Sequence, residues 1–124
     1  MIDFNNGSVF KLSATNPNEY ANELSPLLVN EEVLISSYKS IRDYVVFTNK
    51  RIIAVNVQGI TGKKKDFTSI PYAKIQTFSV ETSGFFDMDS ELELYISSIG
   101  KIKFEFKGEC DIIKIGQIIS SYIL

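Results

Sequence analysis

The chain has 124 residues, 44% of them hydrophobic, with a formal net charge of −2 and no histidine. Such a length suits one domain that buries roughly two-thirds of its unfolded surface, and the weak negative charge speaks against a general nucleic-acid binder. Without histidine, His-based triads and His–metal ligation are excluded, and with Cys110 as the one cysteine no internal disulfide can form, which fits a reducing, cytoplasmic setting.

No apolar run approaches the ~18 residues of a membrane span, so a soluble protein is expected. The start, Met1-Ile2-Asp3-Phe4, lacks the basic and apolar regions of a signal peptide. Residues 1–15 show no clear period and read as an N-terminal arm, or as a short strand around Val9 to Leu12. Residues 16–124 read as the domain proper. Asn16, Pro17 and Glu19 are helix-start residues, and Tyr20, Ala21, Leu24, Leu27 and Leu28 follow at helical spacing. Pro26 should end or kink this short helix near Ser25.

Strand signals come next. Glu32 to Lys39 is the first. Two apolar runs, Tyr44-Val45-Val46-Phe47 and Ile52-Ile53-Ala54-Val55, flank Thr48-Asn49-Lys50-Arg51 and predict a β-hairpin, with Asn49 suited to the positive φ of a tight turn. Lys65 to Ile70 and Ile75 to Glu81 are the fourth and fifth strands. Leu92, Leu94 and Ile96 then alternate with Glu91, Glu93 and Tyr95, and Ile102, Phe104 and Phe106 with Lys101, Lys103 and Glu105. This period of two predicts one packed and one wet face, with acids on one strand beside lysines on the next.

From Asp111 the period becomes helical. Ile112, Ile115, Ile119, Tyr122 and Ile123 share one face, and Asp111 is a suitable cap. Ile113 and Ile118 flank that face, where they either widen the core stripe or touch a neighbouring subunit. The predicted fold is mainly β: seven antiparallel strands curled into a partly open barrel, capped by a C-terminal helix, with a short N-terminal helix.

Charge is unevenly spread. Lys39 to Lys65 holds seven basic residues and one acid, and the remainder holds six basic and fourteen acidic residues. A basic segment on an acidic body can be a local anion site or a set of solvated hairpin tips. Catalytic and metal motifs are not found. Gly59-Ile60-Thr61-Gly62-Lys63-Lys64 has Val57 where a phosphate loop needs its first glycine, and a strand follows it. The same Gly-x-x-Gly resembles the clamp of RNA-binding KH domains, but that clamp joins helices rather than strands. Asp87-Met88-Asp89-Ser90-Glu91 starts like a calcium loop but has Leu92 where glycine is required, so it reads as a solvated acidic loop.

The element order is that of the pleckstrin-homology superfold. The stretches Ile41 to Ile53, Gln58 to Lys64, Ser69-Ile70-Pro71-Tyr72, Phe78 to Thr82 and Gly84 to Leu92, with the closing helix, resemble the bacterial PH-like domain family over roughly Asn16 to Leu124. The resemblance implies a PH-like barrel, a bacterial cytoplasmic setting and assembly into symmetric rings. It implies no catalytic residue, cofactor or settled ligand. By analogy with phosphoinositide-binding PH domains, Lys39 and Arg42 in the first loop and Lys63, Lys64 and Lys65 in the third could receive an anionic headgroup or phosphate. The functional expectation is a non-catalytic binding or scaffold module. It acts as a homo-oligomer through protein–protein contacts, with Ile113 and Ile118 as interface candidates and a further protein partner unidentified. The alternative is peripheral binding to anionic phospholipid through the basic loops. A further alternative is an enzyme with an unrecognised site. No nucleic acid, metal or cofactor is expected.

Overall fold

The computed structural model describes residues 1, 2, 4, 10–108 and 110–124. The strands are β1 (Phe10–Thr15), β2 (Leu34–Lys39), β3 (Tyr44–Thr48), β4 (Arg51–Gln58), β5 (Lys64–Pro71), β6 (Thr77–Glu81), β7 (Ser90–Ile96) and β8 (Gly100–Phe106). A short helix α1 (Ala21–Leu24) continues into a 3-10 turn at Ser25–Leu27, and α2 (Ile112–Ile123) closes the chain.

The eight strands form one open sheet in the order β5-β4-β3-β2-β1-β8-β7-β6. This corrects the expected seven antiparallel strands. β1 is an additional strand, and its first half pairs parallel with β8 (Phe10 with Phe104) while its second half pairs antiparallel with β2 (Ser13 with Lys39). It therefore splices two antiparallel meanders, β2–β5 and β6–β8. It overlaps the short strand expected around Val9 to Leu12 as an alternative to an arm; Leu12 is fully buried while Lys11, Ser13 and Ala14 are exposed. Val9, the expected first residue of this strand, lies outside the described residues.

The main core lies inside the curled sheet. Phe47, Phe104, Phe106, Tyr72, Leu12, Leu92, Leu94 and Ile102 are all essentially inaccessible there, joined by Ile112, Ile115 and Ile119 of α2. Tyr38 sits edge-on to Phe106 at 4.8 Å and to Phe47 at 5.8 Å, within the favourable range for aromatic pairs. Strands β7 and β8 alternate buried with half-buried or exposed residues, and α2 lies across β6 and β7.

A second, smaller core lies on the outer face of the central hairpin. Leu24 packs on Tyr44, Val46, Ile53 and Val55, and Tyr20 stacks on Tyr44 with 3.6 Å between ring centroids. β3 is thus buried on both faces, as are Ile52 to Val55 of β4, which explains apolar runs without a period of two. Segment 16–30 supplies this cover. Its helix is shorter than expected: Asn16 caps a turn, its Oδ1 accepting from Asn18 N at 2.9 Å, and Tyr20 precedes the helix.

The hairpin turn also differs from expectation. Among the described residues Glu31 is the non-glycine residue with positive φ, so Asn49 does not use that region. Thr48 Oγ1 accepts from the Lys50 and Arg51 amides, each at 3.0 Å, and closes the turn instead. Asn49 Oδ1 accepts from Val33 N at 2.9 Å and ties the turn to the incoming chain.

Candidate binding surfaces

Two loops carry the basic segment. The 40–43 loop joins β2 to β3, and its Asp43 Oδ1 accepts from Val57 N at 2.8 Å while its carbonyl accepts from Ser40 N at 2.9 Å. The 59–63 loop joins β4 to β5. Gly59 and Gly62 have φ of 75° and 69°, which glycine adopts at little strain, and a Cβ on Gly62 would stand 3.2 Å from Val57 Cγ1. Arg42 Nη2 donates to the Gly59 carbonyl and so staples one loop to the other.

The structure brings Lys39, Arg42, Lys63 and Lys64 to this end as exposed side chains. Lys65 is half-buried and engaged: its ammonium pairs with Glu23, which also accepts from the Tyr44 hydroxyl. Burial pushes the Glu23 carboxyl up, but the Lys65 and Tyr44 hydrogen bonds outweigh it and leave it below its ordinary value. Lys65 thus ties α1 to β5, and Tyr44 ties it to the hairpin. Lys50 lies at the other end of the strands, and Arg51 is internal, paired with Glu32.

Two residues within this end were not singled out as site residues. Ile41 and Ile60 crown the two loops and are 99% and 105% exposed. The signal was available in the sequence, since Ile60 sits between two glycines in a polar loop that no apolar core can claim. A pinned loop that projects isoleucine among lysines and arginine is amphiphilic, and it can meet a partner that is both apolar and anionic.

The 82–89 loop between β6 and β7 is the second exposed patch. Phe85 and Phe86 are 88% and 97% exposed, and Met88 beside them is 55% exposed. The two rings meet edge-on at 4.9 Å. Asp87 Oδ1 accepts from Asp89 N at 3.0 Å, and Asp89 Oδ1 accepts from Gly108 N at 3.3 Å. These acids therefore brace their own loop. Among the described residues no group of three or more His, Cys, Asp or Glu side chains is placed to hold a metal ion. Of the two helix-flank candidates, Ile118 is half-buried against the main core, and Ile113 is 54% exposed.

Cys110 donates to the Tyr38 hydroxyl at 3.7 Å, and burial pushes its thiol up. A shallow cleft of about 100 Å³ on β6, β7 and β8 is lined by Thr77, Phe78, Glu93, Tyr95 and Lys101. Ligand pockets usually hold ~300 Å³ or more. Among the described residues no helix is long and apolar enough to cross a membrane.

Comparison with known proteins agrees with this architecture. The family described as Bacterial PH domain matches residues 3–123. Uncharacterized protein YjqA of Bacillus subtilis (strain 168) is 45% identical over 101 residues, 80% of this chain and 81% of that protein. Uncharacterized protein YozO of the same organism is 33% identical over 103 residues, 83% of this chain and 89% of that one. A crystal structure of a DUF1696 family protein with a pleckstrin-homology domain, from Shewanella loihica PV-4, superposes with a TM-score of 0.77 at 43% identity and covers 93% of this chain and 99% of its own. A pleckstrin-homology domain from Shewanella amazonensis SB2B gives 0.64 at 43% identity, covering 95% and 94%. With a match along nearly its whole length and the fold of these two domains, this protein belongs to the bacterial PH domain family.

Proposed function

We propose that this protein is a non-catalytic, cytoplasmic binding and scaffold module that works as a homo-oligomer through protein–protein contacts. The observation that carries this reading is the exposed Phe85–Phe86 pair. Two phenyl rings out in water, on a loop braced by Asp87 and Asp89, are costly unless a partner covers them. Aromatic side chains on a pinned loop make strong interface anchors because little freedom is lost on binding. Light scattering on the double variant Phe85→Ser, Phe86→Ser tests the reading. The wild type is expected as an assembly and the variant as the 14.0 kDa monomer. An unchanged mass would remove the loop from the contact.

A second reading is favoured by Ile41 and Ile60. Apolar loop tips ringed by Lys39, Arg42, Lys63 and Lys64 also suit an anionic phospholipid surface, where each cation contributes ~1 kcal/mol. Phosphatidylcholine vesicles with and without phosphatidylserine separate the two readings. Retention that needs phosphatidylserine and is lost in Lys63→Glu, Lys64→Glu supports the membrane, and no retention removes it.

A further inference from the structure

The open sheet has two edge strands, β5 and β6, and they differ in how they are guarded. β5 carries Lys64, Lys65 and Asp66 and ends at Pro71, residues that discourage a further strand. Residues 1 and 2 also lie against it: Ile2 N donates to Thr68 Oγ1 at 3.1 Å, and the Met1 nitrogen donates to Asp66 Oδ2 at 2.7 Å. β6 has none of these devices. It holds no proline, glycine or lysine and keeps a period of two, with Phe78 and Val80 half-buried and Thr77, Ser79 and Glu81 exposed. Every second residue of such a strand turns its N–H and C=O away from β7, and among the described residues no strand takes them.

The side chains along that edge define what fits it. On the inner side, Phe78 and Val80 pack against the main core but keep part of their surface open. Gly116 of α2 lies over both, and Ile113, one turn earlier on the helix, is 54% exposed. Apolar side chains of an added strand would continue this cover. On the outer side, the registers set Glu81, Glu91, Glu105 and Lys11 in one row across β6, β7, β8 and β1. Like charges directly opposite one another are destabilising. Lys11 stands at one end of the row, and Lys103 pairs diagonally with Glu91. Glu81, at the other end, has no ion pair among the described residues. The row thus lacks a cation at its open end, where a ninth strand would bring one.

We propose that the free edge of β6 takes an extended segment of another protein as a ninth strand, with lysine or arginine opposite Glu81 and apolar residues opposite Val80 and Phe78. Main-chain hydrogen bonds supply the affinity, and the alternating side chains supply the specificity. Antiparallel pairing continues the β6–β8 meander. It puts the cation first in the segment, with the apolar residues one and three positions after it. A second copy does not meet this need, because its β6 has no lysine or arginine and its β5 edge is covered. The inference stands apart from the self-association reading, which rests on the 82–89 loop.

Amide NMR of the isotope-labelled full chain, titrated with synthetic peptides, tests it. The probe is an acetylated and amidated peptide of sequence lysine-valine-threonine-valine-threonine. A peptide with glutamate in place of the lysine and a fully N-methylated peptide serve as comparisons. The lysine peptide should shift the amide signals of residues 77–81, and the methylated peptide, which cannot form a ladder, should not. Glu81 is exposed and unpaired, so Glu81→Lys should fold, and its amide spectrum confirms that it does. That variant should bind the lysine peptide about fivefold more weakly and the glutamate peptide about fivefold more tightly than wild type. The proposal is overturned if residues 77–81 do not respond, if the methylated peptide acts as the lysine peptide does, or if Glu81→Lys leaves the preference between peptides unchanged. Signals of 77–81 that shift with protein concentration alone would place a second copy on the edge and overturn it too. A monomer that binds the lysine peptide at β6 upholds the proposal and removes the self-association reading alone.

Discussion

Arg51 holds Glu32 by two hydrogen bonds, Nε to Oε2 and Nη2 to Oε1, each 2.9 Å long. The Glu32 side chain has no exposed surface and that of Arg51 retains 21%. Thr48 donates to Glu32 Oε2 at 2.7 Å, Val29 N donates to Oε1 at 3.1 Å, and Arg51 reaches on to the Leu27 carbonyl at 2.8 Å. The pair clips the 27–32 segment onto the central hairpin. Removing one partner leaves the other charge buried, so Glu32→Ala should cost about 3 kcal/mol in chemical denaturation. Replacing both residues by apolar ones should recover much of that loss.

The same carboxylate sets an acid-side pH dependence. Burial pushes Glu32 up, but its bonds from Arg51, Thr48 and Val29 outweigh it and hold it below its ordinary value. Such a group adds stability at any pH above its unfolded value, about 4.3, and loses it as pH falls through the lower folded value. The denaturation midpoint should fall with acidification below about pH 4.3 and do so less steeply in Glu32→Gln.

Gly116 is buried where α2 crosses β6. A Cβ there would meet Val80 Cγ2 at 3.1 Å and Phe78 Cε2 at 3.9 Å. Valine at this position would wedge the helix from the sheet and should cost about 2 kcal/mol by overpacking. Thermal unfolding of Gly116→Val checks this, and a midpoint equal to wild type would show that α2 does not seat as described.

The ion pairs on the outer face of β7 and β8 should matter little. Lys101 meets Glu93 and Lys103 meets Glu91, each at 3.2 Å, with the Lys101 side chain 77% exposed. Exposed pairs contribute between ~0 and ~1 kcal/mol, so Lys101→Ala should stay within about 0.5 kcal/mol of wild type. Their geometry is diagonal, because Lys103 stands opposite Glu93 and Glu91 stands opposite Glu105.

What could be read from the sequence follows from which forces are local. β7 and β8 were legible because each buries one face, so Leu92, Leu94, Phe104 and Phe106 alternate with polar residues. The α2 face was legible for the same reason at helical period. β1 was legible only as the alternative of a short strand around Val9 to Leu12, and its partners were not, because it is held by backbone pairing to two strands distant in sequence. The double burial of β3 and β4 was also hidden, since the cover comes from Leu24 and Tyr20, distant in sequence. At the candidate surfaces, the basic residues were legible from charge alone. That Lys65 is engaged by Glu23 depends on a pairing 42 residues apart. The exposure of Phe85 and Phe86 was not legible, because an aromatic pair in a loop is as compatible with a core contact as with a surface. An apolar pair in a glycine-led loop names its own exposure only once the core is known to be complete without it.

The central claim is that the chain works as an assembly, and the most direct test is its mass. Light scattering on a sizing column, over a concentration series at physiological salt, should give a mass above the 14.0 kDa monomer that rises with concentration or holds at a multiple of it. A mass that stays at 14.0 kDa at every concentration reached would contradict the account.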